Sequence, residues 1–383
     1  MTKLIQWQQI EDSRVILRLD LNVPHKNNII ESDFRISKSL PVINELLKRN
    51  NKIIILSHLG RPSVEKKEPS LSLHVVCDHL SAMLGEPIKF INQITDKITF
   101  GEHRIVMFEN TRFCKGEVDN DPELAKTISS HGDVFVFDAF GVSHRQESST
   151  TGLMNFLDYA PGPLIQSEVN TAKSILEDPK KPLCTIISGA KISTKITLIE
   201  TFSDKADHLI LGGGLLNTYL QCKGFEVGDS LVEKDLPQEV LSFFESESAK
   251  KIIMPMDLVC SADASLDYPK IKSISMVQSN DKVLDIGTKS IERYAEIIKK
   301  SSTVFWNGPL GYVEKKPYDN GTESIINVLA DSNCFSVIGG GDTVSVIENM
   351  GVQDEISYIS TGGGALLKYI EGKDMYVIKK LGL

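Results

Sequence analysis

Arginine and glycine, the residues best suited to holding anions, occupy opposite halves of this chain. Eight of the nine arginines lie within the first 145 residues, and all three Gly-Gly-Gly runs lie after residue 200. Arginine holds carboxylate and phosphate groups through a planar fork of donors. Glycine lets backbone N–H groups approach a phosphate closely, because no side chain stands in the way. The separation predicts two half-sites that bind different anions, and a reaction across a cleft.

Length and charge limit the class of protein. At 383 residues the chain exceeds what one hydrophobic core usually supports, which favours two domains. The net charge of −9 argues against binding to nucleic acid or to an anionic membrane. The six cysteines are far apart and match neither a zinc site nor a disulfide scaffold. Because no secretory signal or membrane-length apolar run is visible, we expect a cytoplasmic protein.

Short apolar runs recur along the chain and end in polar or glycine-rich turns. Most are continuous rather than alternating, as in strands that are buried on both faces. Amphipathic stretches lie between them, which predicts βαβ units and a parallel sheet in each half. The Pro-Gly segment 159–163 is interpreted as a break between the halves. The predicted strands are 15–19, 52–56, 88–91, 105–108 and 134–137 in the first half, and 185–187, 208–211, 251–255, 303–306, 335–338 and 357–359 in the second.

The residues that follow these strands carry the candidate chemistry, because ligands of open parallel sheets bind beyond the carboxyl ends of the strands. In the first half these residues are largely cationic, and in the second they are rich in glycine. Lys191 and Lys195 are four positions apart at the expected start of a helix over 191–202, so they should share a face beside its N-terminus.

Eight motifs resemble those of the phosphoglycerate kinase family, and they occur in the family's order over nearly the whole chain. The first half contains RLDLNVP (18–24), SHLGRP (57–62), ENTRF (109–113) and DAFGVSHR (138–145). The second half contains SGAKISTKI (188–196), FWNGPLGYVE (305–314), GGGDT (339–343) and STGGGA (360–365). The resemblance implies reversible phosphoryl transfer between 1,3-bisphosphoglycerate and ADP, giving 3-phosphoglycerate and ATP, with Mg²⁺ accompanying the nucleotide.

The resemblance also implies a fold. It is an α/β fold of two Rossmann-like three-layer domains, each with a parallel six-stranded sheet, facing each other across a hinged cleft. Residues 1–165, joined by the returning terminal segment 366–383, would bind 3-phosphoglycerate. Residues 166–365 would bind ATP or ADP. Since the family is usually monomeric, we expect a monomer with no nucleic-acid or membrane partner.

Site residues follow from the same resemblance. Arg35 would lie closest to the transferring group, Lys195 would contact the nucleotide phosphates, and Asp342 would reach the metal. The expected catalytic residues are Arg35, Lys191, Lys195, Gly341 and Gly364. The expected residues for the phosphorylated acid are Asp20, Leu21, Asn22, Arg35, His58, Leu59, Gly60, Arg61, Arg112 and Arg145. The expected residues for the nucleotide are Lys195, Gly212, Gly213, Glu314, Gly340, Gly341, Asp342 and Thr343.

Several positions depart from the family's pattern. Ser188 stands where glycine is common, and Phe137 stands where asparagine is usual. Glu147 lies in a stretch that often carries a second histidine, which places a carboxylate two residues from Arg145.

Simpler explanations exist for single residues. Arg112 and Arg145 could be structural ion-pair partners, and Asp342 could cap a helix. Arg18 is interpreted as structural or solvent-facing. A dinucleotide-dependent dehydrogenase or a P-loop kinase would need glycine motifs that the chain lacks. The remaining alternative is a non-catalytic protein that binds nucleotide or phosphate.

Overall fold

The computed structural model describes residues 2–63, 68–95, 97–263 and 265–383. The chain divides into two compact units, of which the first comprises residues up to Asn170 together with Gly364–Leu383, and the second comprises Thr171–Gly363. In the described part of the chain no helix is long and apolar enough to cross a membrane.

The first unit is built on a six-stranded parallel sheet, as predicted. The strands are β1 Arg14–Leu19, β4 Lys52–Leu56, β5 Ile88–Ile91, β6 Ile105–Phe108, β7 Val134–Asp138 and β8 Asp158–Pro161, with a short hairpin of β2 His25–Lys26 and β3 Ile29–Ile30. Their order in the sheet is β5-β6-β4-β1-β7-β8. Ile16 of the central strand β1 lies beside Ile54 of β4 on one side and Phe135 of β7 on the other.

Strand β8 was not predicted, since it covers part of the segment interpreted as a break. It lies at the edge of the sheet, where Pro161 can stand because an edge position tolerates the missing N–H donor. The next helix begins at Pro163, a favourable first helical position. The two prolines therefore end a strand and start a helix.

Helices cover this sheet: α1 (Phe34–Lys48) packs against β4, and α2 (His74–Leu84) packs against β5. A buried apolar cluster that includes Leu17, Ile43, Ile55 and Val136 forms the core. The helices are α1 Phe34–Lys48, α2 His74–Leu84, α3 Pro122–Ser129, α4 Pro163–Leu176, which continues into the second unit, and the C-terminal pair α11 Gly364–Ile370 and α12 Tyr376–Leu381.

The second unit has a five-stranded parallel sheet, so the prediction of six strands is wrong for this unit. The order is β10-β9-β14-β15-β16. The predicted strand 251–255 is reduced to a single bridge between Ile252 and Leu209, because a 3₁₀ turn runs to Lys251 and Pro255 has no N–H to donate. The strands are β9 Leu183–Gly189, β10 His208–Gly212, β14 Thr303–Asn307, β15 Phe335–Gly339 and β16 Tyr358–Ile359.

A separate three-stranded antiparallel sheet in this unit was not predicted. Its order is β12-β11-β13, with β11 Asp257–Ser261, β12 Lys270–Ser273 and β13 Lys282–Ile286. The helices are α5 Ile196–Ser203, α6 Gly213–Cys222, α7 Gln238–Glu245, α8 Thr288–Lys300, α9 Asn320–Ala330 and α10 Gly341–Met350.

Candidate active site

In the first unit, hydrogen bonds join the loops that follow β1 and β4. Arg35, at the start of α1, donates from Nη1 to the carbonyl of Asn22 over 2.5 Å. The Asn22 side chain accepts from the N–H of Gly60 at 2.8 Å, and the Ser57 hydroxyl accepts from the N–H of Leu21 at 2.9 Å. These bonds place residues from three segments of the chain on one rim, as the sequence predicts.

His58 lies in a strongly cationic environment at this rim and is 3% exposed. Burial, followed by the positive charges of Arg18, Arg112, Arg35 and Arg61, lowers its pKa well below the usual value. The imidazole is therefore neutral near pH 7, and it can donate or accept a hydrogen bond without adding charge. The same charges place three of the four predicted arginines near His58.

Arg18 is structural, and it is fully buried rather than solvent-facing. It donates from Nε to the Ser149 hydroxyl at 3.1 Å and from Nη1 to the carbonyl of Leu19 at 2.5 Å. Ser149 in turn donates from its backbone N–H and its hydroxyl to the buried carboxylate of Glu117. The Nη2 atom of Arg18 lies 3.5 Å from Nδ1 of His58, so this buried network supports the rim from below.

Glu147 joins two of the predicted substrate-binding arginines. Its Oε1 atom lies 2.9 Å from Nη2 of Arg112 and 3.4 Å from Nη1 of Arg145. Arg112 also donates from Nη1 to the carbonyl of Gly60 at 3.4 Å. The sequence identified Glu147 only as a departure near Arg145, and the pairing with Arg112 depends on the fold.

The other residues predicted for this rim differ in how far they are exposed. The side chains of Leu21 and Leu59 are buried in the core, at 0% and 1% exposure. Gly60 has a φ of +63°, and a Cβ there would lie 2.7 Å from a methyl of Leu71. Arg61 is exposed, and Asp20 is 8% exposed.

The second unit contains a cavity of about 460 Å³ beside β9, α6 and β13. Leu216, Leu231, Val283 and Leu310 supply apolar walls, which suit a flat aromatic ring. Three of the predicted nucleotide residues line the cavity: Gly213, Glu314 and Asp342. Asp285, which was not predicted, lines it as well, and burial raises the pKa of its carboxyl group to about 7.

The glycine run at the start of α6 permits close contact with the strand-end loop of β9. A Cβ on Gly214 would lie 2.3 Å from the carbonyl oxygen of Ala190, and one on Gly212 would lie 2.8 Å from the Ser188 hydroxyl. Ser188 donates to the carbonyl of Pro309 at 2.5 Å. The departure at Ser188 therefore links two segments that line the cavity.

The structure explains the departure at Phe137, in the first unit, by packing alone, since Phe137 is buried beside Phe135.

The predicted helix over 191–202 is wrong at its start. A 3₁₀ turn, Ile192–Thr194, precedes α5, and Lys191 and Lys195 both have extended or irregular backbone angles, with φ of −127° and −122°. The two lysines therefore do not share a helical face. Lys191 is exposed, whereas half-buried Lys195 donates from Nζ to Oδ1 of Asn307 at 2.6 Å.

Asn307 connects Lys195 to the predicted phosphate loop. Its Nδ2 atom donates to the carbonyl of Gly339 at 2.8 Å and lies about 3.0 Å from where a Cβ on Gly340 would be. The motif containing Asn307 was recognised, but no role was predicted for it. Its position at the last residue of β14, beyond which ligands bind in such sheets, could have suggested one.

Helix α10 begins at this loop. Gly340 has a φ of +109°, which favours glycine, and α10 starts at exposed Gly341. The first N–H groups of a helix have no intrahelical partner and bind anions well. Thr343 is 0% exposed, so it presents no surface to a ligand in this structure, unlike its exposed neighbours Gly341 and Asp342. Gly364, the first residue of α11, is exposed and has open space around it, and it groups with the first unit.

The residues at the cavity, Asp342 above all, fit a Mg²⁺ ion that binds together with a nucleotide. Across the described residues no group of three His, Cys, Asp or Glu side chains could hold a metal by itself. Asp342 is exposed at the cavity and close to the start of α10. One carboxylate together with nucleotide phosphates is a usual way to bind Mg²⁺, which keeps most of its waters.

The chain resembles known proteins over its whole length. A family model described as phosphoglycerate kinase matches residues 5–373. The structure of phosphoglycerate kinase from Coxiella burnetii is 37% identical with a TM-score of 0.86, covering 99% of this chain and 98% of that one. Phosphoglycerate kinase from Pyrococcus horikoshii OT3 is 27% identical with a TM-score of 0.83, covering 100% and 98%. This chain therefore belongs to the phosphoglycerate kinase family, as its motifs predicted.

Proposed function

We propose that the two units divide the kinase reaction between them, the first binding the phosphorylated acid and the second binding the nucleotide. The family's reaction is reversible phosphoryl transfer between 1,3-bisphosphoglycerate and ADP. Membership of this family confirms the predicted activity and does not favour a non-catalytic binding protein. This proposal is supported by the presence of two different kinds of site in the two units. The cationic rim around His58 belongs to the first unit, and the cavity with apolar walls belongs to the second.

In the first unit the arginines would hold the two ends of 3-phosphoglycerate. Arg61, Arg112 and Arg145 offer planar donor forks for its phosphate. Arg35, anchored to Asn22, would lie nearest the carboxylate that accepts the phosphoryl group. Neutral His58 and the carboxylate of Asp20 are suited to its hydroxyl group.

In the second unit the purine would occupy the apolar part of the cavity. Glu314, exposed at the cavity wall, is suited to accept hydrogen bonds from the ribose hydroxyls. Lys195 and the N–H groups at the start of α10 would hold the phosphates. Asp342 would hold the Mg²⁺ ion of the nucleotide, and Mg²⁺ would neutralise charge on the phosphates.

The chemistry requires positioning rather than proton transfer. The acceptor in the ATP-consuming direction is a carboxylate that is ionised at neutral pH, so no general base is needed. What accelerates such a transfer is the alignment of donor and acceptor and the stabilisation of charge on the moving phosphoryl group. Arg35 and Lys195 would supply that charge, together with backbone N–H groups at Gly341 and Gly364.

The enzyme would act as a cytoplasmic monomer, with Mg²⁺ as its metal and without a nucleic-acid or membrane partner. The net charge of −9 does not favour a nucleic-acid or anionic-membrane partner.

A turnover assay tests the proposed function. The pure protein is mixed with 3-phosphoglycerate and MgATP, and acyl phosphate formation is followed through coupled NADH oxidation. We expect turnover that requires both substrates. A folded protein that binds ATP without turnover would contradict the kinase assignment.

A further inference from the structure

We propose that Glu147 sets how tightly the first unit binds its anionic ligand, by neutralising part of the positive charge of Arg112 and Arg145. The inference rests on the proposed function, in which these two arginines hold the phosphorylated acid. It assigns to Glu147 the role of a positioning and charge-tuning residue, acting through the two arginines.

The ion pairs are largely shielded from water. Glu147 is 3% exposed, and the side chains of Arg112 and Arg145 are 10% and 22% exposed. One carboxylate oxygen, Oε1, serves both guanidinium groups. Because buried charges are screened weakly by solvent and salt, this carboxylate competes directly with any anion that approaches the same arginines.

The ion pair between Glu147 and Arg112 leaves some of its polar atoms without a partner among the described residues. In the described structure the second oxygen of Glu147 and the Nε atom of Arg112 are buried without a hydrogen-bond partner. A buried ion pair stabilises a fold only when its remaining polar atoms are also satisfied. Glu117, another buried carboxylate of this unit, has both oxygens bonded to Ser149. The carboxylate of Glu147 is therefore less completely hydrogen-bonded within the protein than that of Glu117.

The charges around the site give the sign of the effect. Arg18, Arg35, Arg61 and Arg112 all act on His58, so the rim concentrates positive charge. Removing the negative charge at position 147 would make the rim more cationic and raise its affinity for anions. A kinase that held its acid too tightly would gain nothing in turnover, because equal stabilisation of ground state and transition state does not raise kcat.

The backbone at Glu147 is held independently of its carboxylate. Its N–H donates to the Thr150 hydroxyl at 2.9 Å, and the next N–H, of Ser148, donates to the carbonyl of Glu117 at 2.9 Å. Glu147→Gln keeps the volume and an oxygen that can accept from Arg112. The substitution therefore changes the charge while it leaves the local frame in place.

Calorimetric titration with 3-phosphoglycerate, and separately with inorganic sulfate, tests the proposal. We expect Glu147→Gln to bind both anions about tenfold more tightly than the parent protein, with a steeper loss of affinity in added salt. The KM for 3-phosphoglycerate should fall without a rise in kcat. Glu45→Gln is the matched control, because Glu45 pairs with Arg49 at 2.8 Å on the partly exposed surface of α1, and it should leave the affinities unchanged.

Glu147→Asp separates charge from geometry. It keeps the negative charge and shortens the side chain, so its anion affinities should stay close to those of the parent protein. The proposal would be overturned if Glu147→Gln bound the anions no more tightly than the parent protein, or if Glu147→Asp bound them as tightly as Glu147→Gln is expected to. If the parent protein itself does not bind 3-phosphoglycerate, the proposed function fails, and this inference fails with it.

Discussion

The ammonium group of Lys195 donates to the side-chain oxygen of Asn307 over 2.6 Å, at the edge where β9 and β14 end. The amide nitrogen of Asn307 donates to the carbonyl of Gly339, the last residue of β15. One buried amide thus fixes the lysine and the start of the phosphate loop with respect to each other. We infer that Asn307 positions both groups for the nucleotide phosphates.

Asn307→Ala should lower kcat by about 10²-fold, because a small misplacement of a positioning group is costly in the transition state. The KM for ATP should change less, since the apolar cavity remains. Steady-state kinetics with both substrates measure the split. Asn327→Ala, at an exposed position of α9, is the control and should behave as the parent protein does. A change confined to KM would show that Asn307 acts only in nucleotide binding.

Arg35→Ala and Lys195→Ala should each reduce kcat by about 10³-fold or more, as expected for cations that stabilise a transferring phosphoryl group. Both variants should unfold at temperatures close to that of the parent protein, since neither side chain is fully buried. Arg293→Ala, an exposed arginine of α8, should keep full activity. If Arg35→Ala and Lys195→Ala raised only KM, these side chains would stabilise the ground state and the transition state equally, which would contradict the prediction.

Arg18→Met should destabilise the protein by about 3–5 kcal/mol, because it removes the cation that faces the buried carboxylate of Glu117. Arg14→Met provides a matched comparison on the same strand. Arg14 pairs with Asp133 at 2.6 Å, but both side chains are 48% exposed, so the cost should be about 0–1 kcal/mol. Urea unfolding of the two variants measures the difference. Similar costs would contradict the structural role assigned to Arg18.

Asp138 should make the protein progressively less stable as the pH rises from about 4 to about 7. Burial raises the pKa of its carboxyl group to about 7, although the N–H of Ile165 donates to it at 2.8 Å. Unfolded aspartate has a pKa of about 3.9, so between about pH 4 and pH 7 the folded state binds a proton that the unfolded state lacks. The free energy of unfolding therefore falls over this pH range, and above the folded pKa the buried carboxylate lowers it by its full amount.

Asp138→Asn removes this charge. The stability of the variant relative to the parent protein should therefore be greater at pH 8 than at pH 5, by about 1 kcal/mol or more. Asp133→Asn is the control, because the hydrogen bond from Arg14 lowers the pKa of Asp133 and its effect on stability should therefore be the same at pH 5 and pH 8. Its carboxylate stabilises the fold above its unfolded pKa, and that contribution is lost at lower pH. A pH-independent difference for Asp138→Asn would contradict the buried charge.

The sequence predicted most of the parallel strands, because they depend on local patterns. Continuous apolar runs mark strands buried on two faces, and the motifs follow those strands directly. Features set by distant contacts were missed. The pairing of Glu147 with Arg112 spans 35 positions, the bond from Lys195 to Asn307 spans 112, and the burial of Arg18 requires Ser149. The break in the helix before Lys195 was missed because the periodicity of 191–202 continues through it.

Each unit is proposed to hold one ligand, and calorimetric binding of both ligands to two surface variants tests this division most directly. Arg61 and Glu314 are both exposed, so their replacement should not disturb folding. Arg61→Ala should weaken 3-phosphoglycerate binding by about tenfold or more and leave ADP binding unchanged, because it removes one charged donor fork. Glu314→Ala should weaken ADP binding alone. Two results would contradict this division. One is that Arg61→Ala weakens ADP binding as much as it weakens 3-phosphoglycerate binding. The other is that Glu314→Ala weakens 3-phosphoglycerate binding as much as it weakens ADP binding.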